Sequence, residues 1–265
     1  MSRLAIIAGS GDLPAALVAT LPDAPMICAI DGHLPAGVAV DVVFRVERLA
    51  LFLRHLQDAD VTRVVFAGAV SRPVFDPALF DPQTAQMVPR LLAALQAGDD
   101  ATLRAVVAIF EEAGFAVLGA LDVAPGLAPG AGVWAGTISA NAQTDAARAA
   151  QIVAALGAVD VGQACVVAGG LCLGLEVLTG TDAMLAMVAG IGDGLRPSAA
   201  GLLYKAAKPG QDHRMDMPTI GVRTLHAVAQ ARLGGIVWAG GEVICLDLPA
   251  MQIEAARLGL FLWAR

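Results

Sequence analysis

Short apolar, β-branched runs alternate along this chain with stretches whose apolar positions recur every three to four residues, the signature of a layered α/β fold. The run Arg3–Ala8 predicts a strand, followed by Gly-Ser-Gly-Asp-Leu-Pro at 9–14 and an apolar helix over 15–21. Met26–Ile30 predicts the next strand, ending at Asp31 and Gly32. Leu49, Phe52, Leu53 and Leu56 fall at i, i+3, i+4 and i+7, one face of an amphipathic helix. Residues 63–69 read as a buried parallel strand running into Gly-Ala-Val-Ser-Arg-Pro at 68–73. Gly98, Asp99 and Asp100 precede a helix whose inward face is Leu103, Val106, Val107 and Phe110, and residues 115–118 return as a strand. These units predict a Rossmann-like parallel-sheet domain over residues 1–130.

The stretch 122–132 holds two Pro and three Gly and marks the join. A second α/β domain is expected over 131–265. It should contain a helix capped by Thr144, strands over 163–169 and 171–177, and a helix capped by Thr181 with Asp182 in its first turn. A strand over 202–207, a helix carrying Leu225, Val228, Ala229 and Leu233, a strand from Ile236, a helix over 251–258 and a final short strand complete it.

Composition narrows the classes. Of 265 residues, 57% are hydrophobic and only 15% charged, which provides for a sizeable core and excludes disorder. A net charge of −7 weighs against nucleic acid as a partner, because binding it needs basic surface. Mean hydropathy is +0.69, yet no stretch reaches the roughly 18 uninterrupted apolar residues of a spanning helix. The N-terminus lacks the features of a signal peptide, so a cytoplasmic protein is expected. The four cysteines show no CxxC spacing and sit in apolar contexts, which suits inert buried thiols.

The most polar segment, residues 204–221, holds the chain's only tyrosine, Tyr204, and its only two lysines, Lys205 and Lys208. Elsewhere the chain uses arginine, so a compact ammonium is wanted here. Asp212 and Asp216 follow four apart. Carboxylates suit a hard divalent cation such as Mg²⁺, and lysines neutralise phosphoryl oxygens. Arg72 and Ser71 stand at a predicted strand end, where ligands of open α/β sheets bind. The glycine turn at 9–11 suits a plain tight turn as well as a phosphate cradle, and the full G-x-G-x-x-G fingerprint is absent. Asp99 and Asp100 suit helix capping and first-turn electrostatics as well as a site. No nucleophile elbow, H-E-x-x-H or P-loop is present, and the four histidines do not fall at ligand spacing. The parts together point to phosphoryl transfer or phosphate-ester hydrolysis. A non-catalytic nucleotide-sugar or lipid-binding protein and an NAD(P)-dependent oxidoreductase are the alternatives.

Five motifs occur in order: Ile-Ala-Gly-Ser-Gly-Asp-Leu-Pro at 7–14, Gly-Ala-Val-Ser-Arg-Pro at 68–73, Gly-Asp-Asp at 98–100, Gly-Thr-Asp-Ala-Met-Leu at 180–185 and Lys-Pro-Gly-Gln-Asp-x-Arg-x-Asp-x-Pro-Thr-Ile-Gly at 208–221. The set resembles the LpxI-type UDP-2,3-diacylglucosamine pyrophosphatases of lipid A biosynthesis. The resemblance implies a cytoplasmic, Mg²⁺-dependent, homodimeric enzyme of two α/β domains. It implies cleavage of a lipid-linked nucleotide sugar to UMP and 2,3-diacylglucosamine 1-phosphate (lipid X), with contact at the periphery of the inner membrane. On this sequence, Asp216 becomes the first choice for the essential carboxylate, holding Mg²⁺ or water, with Asp212 as its rival. Lys205 and Lys208 would neutralise the pyrophosphate, helped by Arg72. Substrate contacts would come from Gly9, Ser10, Gly11 and Asp12, from Gly68, Val70 and Ser71, from Asp99 and Asp100, and from Thr181, Gln211 and Thr219.

Overall fold

A computed structural model describes residues 3–71 and 75–265, with the backbone alone at positions 99 and 100. It divides into two compact units. The first comprises Met1–Pro125 with Asp212–Asp216, and the second Gly126–Gln211 with Met217–Arg265. The chain thus passes from one unit to the other three times.

In the first unit the order of elements is β1 (Arg3–Ala8), α1 (Leu13–Thr20), β2 (Met26–Ile30), β3 (Val42–Phe44), α2 (Leu49–Asp58), β4 (Val61–Ala67), α3 (Pro82–Ala97), α4 (Asp99–Glu112), β5 (Ala116–Leu118) and α5 (Ala120–Val123). The five strands form one sheet in the order β3-β2-β1-β4-β5, every pair parallel. Leu4 through Ala8 are all buried, so β1 is covered on both faces, which is why its sequence is a continuous apolar run. The predicted face of α2 is the face it buries: Leu49, Phe52, Leu53 and Leu56 join Ala5, Ile7, Val64 and Phe110 in one core. Phe52 stacks on Phe44 with ring centroids 3.7 Å apart. Met215, from the returning segment 212–216, packs against the same core.

Helix α3 has no counterpart in the sequence reading. Asp81 caps it, accepting hydrogen bonds from the N–H groups of Gln83 and Thr84 at 2.9 Å each, and Pro82 opens it. Its interior carries Pro89, a residue that argues against a continuous helix in the sequence although Met87, Leu91 and Leu95 recur at helical spacing around it.

The second unit contains β6 (Gly132–Ala135), α6 (Ala140–Ala158), β7 (Ala164–Ala168), β8 (Leu171–Leu175), α7 (Gly180–Ala189), β9 (Leu202–Lys205), β10 (Thr219–Ile220), α8 (Val222–Gln230), β11 (Gly235–Trp238), β12 (Ile244–Cys245), α9 (Leu248–Leu258) and β13 (Phe261–Ala264). Six strands form a mixed sheet, β6-β13-β11-β9-β7-β8, whose β13, β11 and β9 run parallel while β6 and β7 join antiparallel. Strands β10 and β12 form a separate parallel pair. Helices α7, α8 and α9 cover one face of the large sheet, Leu185, Leu225 and Met251 packing in one core with Trp238 of β11; α6 covers the other through Ala146, Ala149 and Val153. Ser139, not Thr144, caps α6, because its hydroxyl accepts the Ala142 N–H, whereas Thr144 lies inside the helix and bonds back to the Ala140 carbonyl. Among the described residues no helix is long and apolar enough to cross a membrane.

Candidate active site

In the first unit β1 lies between β2 and β4, so the chain's connections leave the sheet in opposite directions at the carboxyl ends of β1 and β4. That edge is where open α/β sheets bind ligands. The loops after these two strands are joined there. Ser10 and Ala69 exchange backbone hydrogen bonds of 2.8 Å in each direction, and the Gly9 N–H donates to the Ala67 carbonyl at 2.8 Å. A Cβ on Gly9 would lie 2.5 Å from the Ala69 carbonyl oxygen, and one on Gly68 would lie 2.6 Å from the Gly9 carbonyl oxygen. Both glycines are thus required by the approach of two backbones. The N–H groups of Gly9 and Ser10 are used inside the protein, which removes them from the phosphate cradle suggested by the sequence.

His33, which has no other histidine at ligand spacing, lies at this edge. Its Nε2 accepts the Ser71 N–H at 3.0 Å and lies 2.7 Å from the Ser71 hydroxyl. The unit therefore brings together Gly9, Ser10, Gly68, Ser71 and His33. Val70 is exposed beside them, and Asp12 precedes α1 as its N-terminal flanking residue without a side-chain capping bond. Arg72 and the side chains of Asp99 and Asp100 lie outside the described residues.

The segment Asp212–Asp216 is tightly built. The Asp212 carboxylate accepts from Arg214 through Nε at 2.9 Å, Nη2 at 2.7 Å and the backbone N–H at 3.0 Å, and Arg214 Nη1 reaches Glu111 at 2.8 Å. Hydrogen bonding from Arg214 holds the Asp212 carboxyl below the ordinary carboxylate range and pushes the guanidinium pKa up. With both oxygens in the arginine fork, Asp212 acts as a pin for this turn. Asp216 closes the turn, its N–H donating to the Asp212 carbonyl at 3.3 Å. Among the described residues no three His, Cys, Asp or Glu converge as a metal cage. An ion such as Mg²⁺ needs no such cage, since it is commonly held by one or two carboxylates with water and substrate phosphates completing its shell.

In the second unit the ends of β9, β7 and β8 carry a buried polar cluster. Lys205 closes β9, in register with Ala164 of β7 and Trp238 of β11. One strand further on, the Glu176 N–H donates to the Ala164 carbonyl at 2.9 Å, which places Glu176 in the same cross-strand row. Alternate residues of a strand share a face, so the Glu176 and Lys205 side chains rise on the side covered by α7. Lys205 Nζ donates to the Thr181 hydroxyl at 2.9 Å and the Thr219 carbonyl at 3.2 Å, and stands 4.0 Å from the Glu176 carboxylate. Thr181 in turn donates its hydroxyl proton to Glu176. Only 6% of Glu176 and 7% of Lys205 is exposed. Thr181 was expected to cap α7; instead it lies in the first turn, and Thr179 flanks the helix without a side-chain bond.

Lys208 has a different setting. Strand β9 ends at Lys205, two residues before the expected 207, so Lys208 lies in the following turn. Its N–H donates to Gln211 Oε1 at 3.1 Å, and its ammonium pairs with Asp160 at 2.6 Å near the end of α6. The structure thus joins Lys205, Thr181 and Thr219 directly, and Lys208 with Gln211. Glu176 was missed because its partners lie 5 and 29 residues away and no local pattern marks them. Three of the four thiols are buried as expected, and burial pushes Cys28, Cys165 and Cys245 up to about 12; Cys172 is instead exposed, because it stands on β8 at the edge of the sheet.

Comparison with known proteins agrees with this layout. Residues 3–127 match the family of the LpxI N-terminal domain, and residues 130–263 match that of the LpxI C-terminal domain. UDP-2,3-diacylglucosamine pyrophosphatase LpxI of Caulobacter vibrioides is 35% identical over 272 residues, spanning 98% of this chain and 96% of that protein. With both domains matched along almost its whole length, the chain belongs to the LpxI family.

Proposed function

We propose that this protein hydrolyses the pyrophosphate bond of UDP-2,3-diacylglucosamine, giving UMP and 2,3-diacylglucosamine 1-phosphate in lipid A biosynthesis. The observation that carries this reading is the match, through both domains, to a relative bearing that activity in its name. The buried ammonium of Lys205 at a strand terminus, in a chain with only two lysines, supports it.

In this reading water adds to the phosphorus on the glucosamine side, the P–O–P bond breaks, and UMP leaves with the bridging oxygen. Asp216 holds Mg²⁺ or orients the water, and Asp212 keeps its turn in shape through Arg214. When bound, Mg²⁺ would neutralise phosphate charge and polarise the phosphorus under attack. Lys205 and Lys208 offset the negative charge that develops on the phosphoryl oxygens. The enzyme acts as a cytoplasmic homodimer that meets its lipid substrate at the inner membrane.

The test is incubation with UDP-2,3-diacylglucosamine and Mg²⁺ in ¹⁸O-water. UMP release with ¹⁸O in the lipid product is expected, and release abolished by EDTA supports the metal. Substrate binding without UMP would turn the reading into that of a binding protein. Label in UMP would move the attack to the other phosphorus.

A further inference from the structure

The buried cluster at the ends of β8 and β9 contains a carboxylate to which the proposed hydrolysis gives no role. We propose that Glu176 is a positioning residue of the reaction, acting through Thr181 and Lys205. The inference rests on the proposed hydrolysis and deepens it.

Four observations support it. First, Glu176 is held at its backbone as well as its side chain. Its N–H is bonded to Ala164, its carbonyl oxygen lies 2.0 Å from where a Cβ on Gly162 would stand, and its Oε1 faces the Gln163 N–H at 3.4 Å. Second, Ala164 stands between Glu176 and Lys205 in the same row. Adjacent strands are about 4.8 Å apart, so the two residues are separated by roughly 10 Å of backbone and their side chains reach over this small residue. Third, a hydroxyl has one proton and two lone pairs. Thr181 gives its proton to Glu176 and accepts from Lys205, which fixes the order Lys205–Thr181–Glu176 and makes the hydroxyl an acceptor toward anything else. Fourth, both groups are almost wholly buried at a strand terminus beside α7, where an ion pair gains little stability over a well-packed apolar pair.

Glu176 therefore balances the Lys205 charge in the resting protein and sets the direction of the ammonium, so that little reorganisation is needed when phosphate charge develops. The test is a double-mutant cycle on UMP release from UDP-2,3-diacylglucosamine, using Glu176→Gln, Lys205→Met and both together, with thermal unfolding measured on each. Glu176→Gln is expected to lower kcat by about 10–100-fold while moving KM less than about 3-fold, and to add nothing once Lys205 is gone. A folded Glu176→Gln variant with kcat within about twofold of the parent overturns the inference, as do effects that multiply in the double variant. If Glu176→Gln does not fold, Thr181→Val, which cuts the same chain at the hydroxyl, replaces it: a lowered kcat supports the inference and an unchanged kcat overturns it. No UMP from the parent protein would overturn the hydrolysis reading and this one with it. UMP from the parent with an intact Glu176→Gln rate overturns this one alone.

Discussion

The contact between the loops after β1 and β4 makes a quantitative prediction for Gly9→Ala. The new Cβ would stand 2.5 Å from the Ala69 carbonyl oxygen, while ordinary contact begins near 3.4 Å, so the loops must part by about 0.9 Å. The reciprocal Ser10–Ala69 bonds, 2.8 Å long, would then stretch to about 3.7 Å, beyond hydrogen-bonding reach. Losing two backbone bonds at roughly 0.5–1.5 kcal/mol each, together with residual crowding, destabilises the first unit by about 3 kcal/mol. For a protein of this size that lowers Tm by roughly 6–12 °C. Circular dichroism melting of Gly9→Ala beside Gly126→Ala is the assay. Nothing lies within 4 Å of a Cβ added at Gly126, so that variant should melt with the parent. A Gly9→Ala protein melting within 1–2 °C of the parent, by the same ~2–4 °C per kcal/mol scale, would refute the reasoning.

Other outcomes follow from the same geometry. Asp216→Ala should fold normally and lose roughly 100-fold or more of UMP release, the usual scale for removing a group that positions or deprotonates water. Lys208→Met should change stability by less than about 1 kcal/mol, since the Asp160 carboxylate it pairs with is half exposed, and lower kcat instead. Because Arg214 depresses the Asp212 carboxyl, its contribution to stability is complete above the ordinary carboxylate range near pH 4 and is lost as pH falls through the lowered value. Urea unfolding midpoints of the parent should therefore drop more steeply below pH 4 than those of Asp212→Asn. Iodoacetamide at pH 8 should spare Cys28, Cys165 and Cys245 in the folded protein, as thiols pushed to about 12 hold almost no thiolate, and label them in guanidinium.

Elements held by their own periodicity were legible in the sequence. The stripe of α2 and the continuous apolar run of β1 each state which face is covered, and the structure covers those faces. Elements held by neighbours were not. Helix α3, with Pro89 in its interior, is held by its Asp81 cap and by packing on α4, and β10 and β12 are two residues each, a pairing that no sequence pattern announces. The site divides in the same way. Lys205 stands out because lysine is rare here, whereas Glu176 and His33 gain their meaning from partners such as Lys205 and Ser71, distant along the chain. The glycine turn left two readings open because a glycine that serves the approach of another backbone, as Gly9 does, looks the same in sequence as one that cradles an anion.

The returning segment Asp212–Asp216 bears on how the protein is made. Met215 packs on the first unit's core and Arg214 reaches Glu111, so that unit lacks part of its own structure until residue 216 is synthesised, some ninety residues after Pro125. During translation the first unit must therefore wait, incompletely closed, while most of the second is still being added. A fragment ending at residue 125 would be left permanently in that state, and the two units cannot be separated as independent products by a single cut.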